Sequence, residues 1–201
     1  MIRVLVAEDQ GMVRGALTTL LNLEPDLAVV GQVGRGDDIV PRARELRPDV
    51  ALLDIEMPGT DGLTAAAQLH AALPSCVILV LTTFGRPGYL RRAMEAGASG
   101  FLVKDGPAEE LADAVRRAVA GERVIDPTLA ATALSAGPNP LTSRERDVLA
   151  AAADGSTIAA IARRLSLSEG TVRNYLSSAI QKTGAHNRTS AVREAEQLGW
   201  L

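Results

Sequence analysis

The chain has 201 residues, 47% of them hydrophobic and only 2% aromatic, with 21 basic and 24 acidic side chains for a net charge of −3. That length and apolar content suit two small cores, and the single cysteine, Cys76, excludes a disulfide framework or a thiolate zinc centre. No apolar run approaches the ~20 residues of a membrane-spanning helix, and the opening residues turn acidic too soon for a signal peptide, so a cytoplasmic protein without direct membrane association is expected.

Apolar runs and helical periodicity alternate through the first 125 residues. The pattern predicts strands at about 2–7, 27–33, 50–53, 77–81 and 100–103. Helices are predicted at about 12–22, 37–47, 63–73, 88–96 and 108–120, with Pro48, Gly97 and Gly121 as stops. Five β/α units imply an α/β domain over residues 1–125, a flavodoxin-like five-stranded parallel sheet of order 2-1-3-4-5. Residues 126–138, rich in Ala, Ser, Gly and Pro, read as a linker in which 128–134 is a candidate short helix.

Residues 139–201 read as a small all-α domain. Thr142-Ser-Arg-Glu145 is a capping box, opening a helix that runs towards Gly155. A scaffold helix at about 157–164, the turn Ser166-Leu-Ser168, a longer helix at about 169–183 and a final one at about 189–198 make a helix-turn-helix. This part holds eight basic and six acidic residues, so it is +2 while the remainder is −5. Charge alone therefore argues only weakly for nucleic acid. Lysine occurs only at Lys104 and Lys182; every other basic residue is arginine.

Four predicted strands deliver chemistry just past their ends: Glu8 with Asp9, then Asp54, Thr82 and Lys104. In a parallel sheet those ends meet in one crevice. Singly, such an acid caps a helix or faces solvent, Lys104 is a surface charge, and Thr82 is a β-former. Jointly they suit a divalent metal and a phosphoryl group. Glu8, Asp9 and Asp54, with the backbone carbonyl of Glu56, are hard oxygen ligands of the kind Mg²⁺ prefers. Asp54 is then a nucleophile that becomes an acyl phosphate, with Lys104 and Thr82 binding phosphoryl oxygens. In the second domain, Arg173 and Asn174 stand early on the longer helix, and these types read guanine and adenine edges.

The motifs Val-Ala-Glu8-Asp9, Leu-Leu-Asp54-Ile-Glu-Met-Pro-Gly, Leu-Thr82-Thr-Phe, Gly-Phe101-Leu-Val-Lys104-Asp and Leu141-Thr-Ser-Arg-Glu-Arg span the chain. With Leu165-Ser-Leu-Ser-Glu-Gly-Thr-Val-Arg and Asn187-Arg-Thr-Ser-Ala-Val, they resemble a NarL/FixJ-type response regulator, a receiver joined to a LuxR-type helix-turn-helix. Ala-Glu-Asp-Gln, Asp-Ile-Glu-Met-Pro-Gly and the Gly-Trp ending look most like the DesR-like membrane-fluidity regulators. The resemblance implies a two-component regulator that is not an enzyme, although it accepts a phosphoryl group and can autodephosphorylate. Asp54 would be phosphorylated by a sensor histidine kinase, Glu8 and Asp9 would be metal ligands, and Thr82 and Phe101 would be the switch residues. Glu56 and Phe84 fall where the family tunes phosphoryl lifetime. A homodimer formed on activation would bind double-stranded DNA and engage RNA polymerase. Arg173, Asn174 and Ser177 would read bases, and Thr171, Lys182 and Arg188 would contact phosphates. Departures stand at Thr83, Ser177, Ser178, Thr183 and His186. Fewer cations mean weaker monomer affinity. The alternatives are a phosphate-independent DNA-binding regulator and an aspartyl-phosphate phosphohydrolase; the latter needs a second Asp where this chain has Glu56.

Overall fold

The computed structural model describes residues 1–83, 87–104, 108–127, 129–131 and 139–201. Of the sequence expectations, Phe84 and most of the 128–134 helix lie outside the described residues. Two compact units are present, the first covering residues 1–85 and 90–130 and the second residues 131–201 with 86–89.

The first unit alternates strand and helix: β1 (Ile2–Ala7), α1 (Gly11–Asn22), β2 (Leu27–Val33), a 3₁₀ turn (Gly36–Asp38), α2 (Ile39–Leu46), β3 (Val50–Asp54), α3 (Gly62–Ala72) and β4 (Val77–Thr82). It continues with α4 (Pro87–Glu95), β5 (Gly100–Val103), α5 (Ala108–Val119) and β6 (Val124–Ile125). The strands pair in parallel in the order β2-β1-β3-β4-β5-β6. The expected 2-1-3-4-5 sheet is there, but it has six strands rather than five. The addition is two residues long and pairs with Gly100 and Phe101, too short for any periodicity to announce it. The predicted second helix is also divided. The 3₁₀ turn precedes α2, and Pro41 falls in the first turn of α2, where a missing N–H leaves no helical bond unmade.

All of β3 is buried, as expected of a parallel strand with helices on both faces. On one face Val4, Val6, Val50, Leu52, Leu79 and Leu81 pack with Leu21 of α1 and with Ala114, Val115 and Ala118 of α5. Register brings the strand ends level, because Ala7 lies beside Leu53, Asp54 beside Leu81 and Thr82 beside Val103. The loop leaving β3 is pinned from two sides. Asp37 accepts from Thr60 N (3.1 Å) and Thr60 Oγ1 (2.7 Å), while Asp61 caps α3 by accepting from Leu63 N and Thr64 N. A Cβ on Gly62 would stand 1.8 Å from the carbonyl oxygen of Asp54, so no larger residue fits there.

The second unit comprises α6 (Ser143–Ala150), α7 (Ile158–Leu165), α8 (Glu169–Thr183) and α9 (Arg188–Gln197). The side chains of Thr142, Thr157, Ser168 and Asn187 cap the four helices in turn. α6 stops at Ala150 and passes through turns before Gly155, so it is shorter than the stop signal implied. Ser166, in the left-handed region at φ 55°, reverses the chain between α7 and α8. Val148, Leu149, Ile161, Val172, Leu176, Ala179 and Trp200 form the core.

One buried charge ties this core together. Glu145 is 4% exposed and accepts from Thr142 N (2.7 Å), Ser178 Oγ (2.6 Å) and Lys182 Nζ (2.8 Å). Burial alone would push its carboxyl up, but the hydrogen bonds from Lys182, Ser178 and Thr142 outweigh that and hold it at about 2.

Two outcomes follow for stability. Gly62→Ala should destabilise the first unit by about 3 kcal/mol, the upper end of overpacking costs, read as a lower urea midpoint by circular dichroism. Glu145, lowered from an ordinary 4.5 to about 2, stabilises the fold above pH 4.5 and loses that contribution as pH falls towards 2. Trp200 is the only tryptophan and sits in this core, so its fluorescence in acid titrations should show Glu145→Gln less stable at neutral pH and less sensitive to acid. Equal acid sensitivity of the two proteins would contradict the assignment.

Candidate functional site

The carboxyl edge of the sheet collects the predicted residues. Glu8 follows β1 and is fully buried; Asp54 and Thr82, the last residues of β3 and β4, are each 4% exposed. Lys104 follows β5, and its N–H donates to the Thr82 carbonyl (2.8 Å), which keeps the two strand ends in step. Its ammonium reaches Glu8 Oε2 at 2.6 Å and Asp54 Oδ1 at 2.9 Å. Asp54 Oδ1 also accepts from Ile55 N (2.8 Å), so the carboxylate is held by its own turn as well as by Lys104.

Asp9 is exposed at the rim. One carboxylate oxygen from each of Glu8, Asp9 and Asp54 lies within 4.8 Å of the others. Three carboxylates that close fit a hard divalent cation. Electrostatics reflect the crowding. Burial of Glu8, reinforced by the neighbouring Asp54 charge, raises its carboxyl above the ordinary range, although the Lys104 hydrogen bond pulls it down. For Lys104, burial disfavours the charge, but bonds to Glu8 and Asp54 prevail and raise its pKa. The ammonium therefore stays charged.

Of the other expected residues, Glu56 is exposed on the loop after β3, and Phe101 is fully buried in β5. Asp61 caps its own helix, and Glu8 Oε1 accepts from Gln10 N (3.1 Å) just before α1, but Glu8 and Asp54 also share the Lys104 ammonium. Sequence reasoning missed Arg14. From α1 it donates to the backbone carbonyls of Glu8 and Asp9, and no local pattern distinguishes that arginine from its neighbours.

In the second unit, Arg173, Asn174 and Ser177 all lie exposed on α8, and Gln181 continues the same stripe one turn on. Its spacing of four from Ser177 is the sequence signal that places it there. The expected phosphate contacts have internal partners. Thr171 shares a hydrogen bond with the cap Ser168 (2.8 Å), Lys182 bonds Glu145, and Arg188 donates to the Ser156 carbonyl (2.7 Å). Arg173 is paired with Glu169 at 2.9 Å on the surface, a contact worth little when exposed.

Comparison with known proteins agrees with this geometry. Residues 4–116 match the response regulator receiver domain, and residues 139–195 match the luxR family of bacterial regulatory proteins. The chain is 47% identical over all 201 residues to the transcriptional regulatory protein DesR of Bacillus subtilis (strain 168), and 48% identical to the uncharacterized transcriptional regulatory protein YvfU of the same strain; both alignments cover the whole of each chain. Among solved structures it resembles the response regulator ChrA of a heme-sensing two-component system, with a TM-score of 0.59 and 35% identity over 100% of this chain and 98% of the other. The acidic crevice lies within the residues of the first family match and the helix-turn-helix within those of the second: the chain belongs to the response regulators, as a receiver domain joined to a luxR-type DNA-binding domain in a transcriptional regulator.

Proposed function

We propose that Asp54 is the phosphoacceptor of a two-component switch, receiving its phosphoryl group from a sensor histidine kinase. The observation that carries this reading is the Lys104 ammonium, 2.6 Å from Glu8 and 2.9 Å from Asp54, in a crevice with three carboxylates within 4.8 Å. An Asp54 oxygen attacks phosphorus, the bond from phosphorus to the donor's histidine nitrogen breaks, and the ring, already protonated on its other nitrogen, leaves as neutral imidazole. The product is an acyl phosphate. Glu8, Asp9, Asp54 and the carbonyl of Glu56 would hold Mg²⁺, whose chemistry when bound is to neutralise charge on the transferred group. Lys104 and the Thr82 hydroxyl take phosphoryl oxygens. Hydrolysis of the acyl phosphate by water resets the switch, so autodephosphorylation is the one reaction this regulator performs on itself.

Phosphorylation adds roughly −1.5 to −2 charge beside Lys104 and Thr82. Because Lys104 already serves two carboxylates, the new charge competes for its ammonium and redistributes the bonds of the crevice. Thr82 and the buried Phe101 are the switch pair through which that change favours a homodimer. The dimer places two copies of α8 in successive major grooves, with half-sites about one helical turn (~10 bp) apart. Arg173, Asn174 and Ser177 read bases, Thr171 and Arg188 flank the backbone, and the bound dimer acts on RNA polymerase to control transcription. The internal bonds of Lys182 and Arg188 support weak binding by a monomer, since fewer cations release fewer counterions. No helix among the described residues is long and apolar enough to cross a membrane, which accords with a cytoplasmic regulator.

Incubation with Mg²⁺ and acetyl phosphate, followed by intact-mass spectrometry, should add one phosphoryl group to the wild type and none to Asp54→Ala. Equal labelling of both would reject Asp54, and no labelling of either under any phosphodonor would favour the phosphate-independent regulator. Under the same donor, Asp54→Asn and Thr82→Ala should both reduce dimerisation in sedimentation velocity. Wild-type sedimentation by both variants would remove the proposed link between crevice and dimer.

A further inference from the structure

The recognition helix α8 is attached to the scaffold at two polar points besides its apolar seam. Ser178 and Lys182, four residues apart, lie one above the other on one face of the helix. Both reach the same carboxylate: Ser178 Oγ meets Glu145 Oε1 at 2.6 Å, and Lys182 Nζ meets Oε2 at 2.8 Å. Glu145 is itself fixed, because its capping-box bond to Thr142 N (2.7 Å) belongs to the first turn of α6. A carboxylate so held offers two oxygens in a set plane, and two donors one turn apart can satisfy both only at one rotation of α8 about its axis. The apolar residues Val172, Leu176 and Ala179 press α8 onto the core, but apolar contact is non-directional. The charge adds the direction.

We propose that Lys182 is a positioning residue and not a phosphate contact: with Ser178 it anchors α8 on Glu145 and sets the angle at which Arg173, Asn174, Ser177 and Gln181 are presented to DNA. The inference rests on the DNA-binding reading of this domain. Its physical basis is the burial of Glu145, whose side chain is 6% exposed whereas that of Lys182 is 35% exposed. Moving the ammonium to a DNA phosphate would leave a buried carboxylate without its counterion, which is the costly way to break such a pair. The small hydroxyl at Ser178 belongs to the same device, since it spends its proton on Glu145 and not on DNA.

The test uses full-length protein and a nonspecific 20-bp DNA duplex, with affinity followed by fluorescence anisotropy across a salt series. If Lys182 only positions the helix, Lys182→Met leaves the slope of log K against log salt unchanged. Glu145→Gln, which releases the ammonium towards phosphate, steepens it by about 0.9, and the double variant returns to the wild-type slope. A slope shallower by about 0.9 in Lys182→Met would overturn the proposal, because it would show one counterion released by that side chain. Trp200 fluorescence checks folding of each variant. A second measurement needs no destabilising change: Lys104 and Lys182 are the only lysines, so Lys182→Arg assigns the two ammonium signals by NMR. The Lys182 signal should keep its hydrogen-bonded shift when DNA is added; displacement of that signal by DNA would also overturn the proposal. Failure of the wild type to bind any DNA is a separate outcome, which would remove the DNA-binding reading and the proposal with it.

Discussion

Two buried carboxylates and the part-buried ammonium between them, at the edge of a parallel sheet, are the constraint around which the first domain is arranged. Glu8 and Asp54 are both almost inaccessible to water, and like charges so placed repel strongly where the surroundings screen them little. Lys104 makes the arrangement tenable by bonding to both. Such a cluster adds little net stability, because desolvation consumes much of the Coulombic gain. The fold supplies what the cluster needs: four strands in register, a short loop closed over by Gly62, and Arg14 holding the backbone of the acidic pair.

The helical domain solves a related problem with a different outcome. Glu145 is as buried as Asp54, and its bonds to Lys182, Ser178 and Thr142 hold its carboxyl low. The first crevice has an exposed carboxylate, Asp9, at its rim; the second network lies wholly within the helical domain. The two sites differ in their donors: Glu8 and Asp54 share one ammonium, whereas Glu145 has an ammonium, a hydroxyl and a backbone N–H to itself.

Much of the fold was legible because its signals are local. Apolar runs of four to six residues, glycine stops and Ser/Thr/Asn caps act over a single turn or strand, and they placed the long elements to within a residue or two. The exceptions were local as well. β6 is too short to carry a pattern, α6 ends before its glycine, and the 3₁₀ turn before α2 does not differ from a helix in apolar spacing. The crevice residues were legible for a topological reason: strands that alternate with helices run parallel, and parallel strands end together.

By itself the sequence determined the alternation of elements, the helix caps, the set of side chains that meet at the sheet edge, and the helix that presents Arg173 and Asn174. Only the tertiary structure decided which charges pair. With 21 basic and 24 acidic residues in the chain, periodicity places each on an element but cannot choose a partner 37 or 96 residues away, the separations of Lys182 from Glu145 and of Lys104 from Glu8. Those choices depend on how far two surfaces approach and how much water they exclude. That is why Lys182, which the family resemblance marks as a cation for DNA, is bonded in the fold to Glu145.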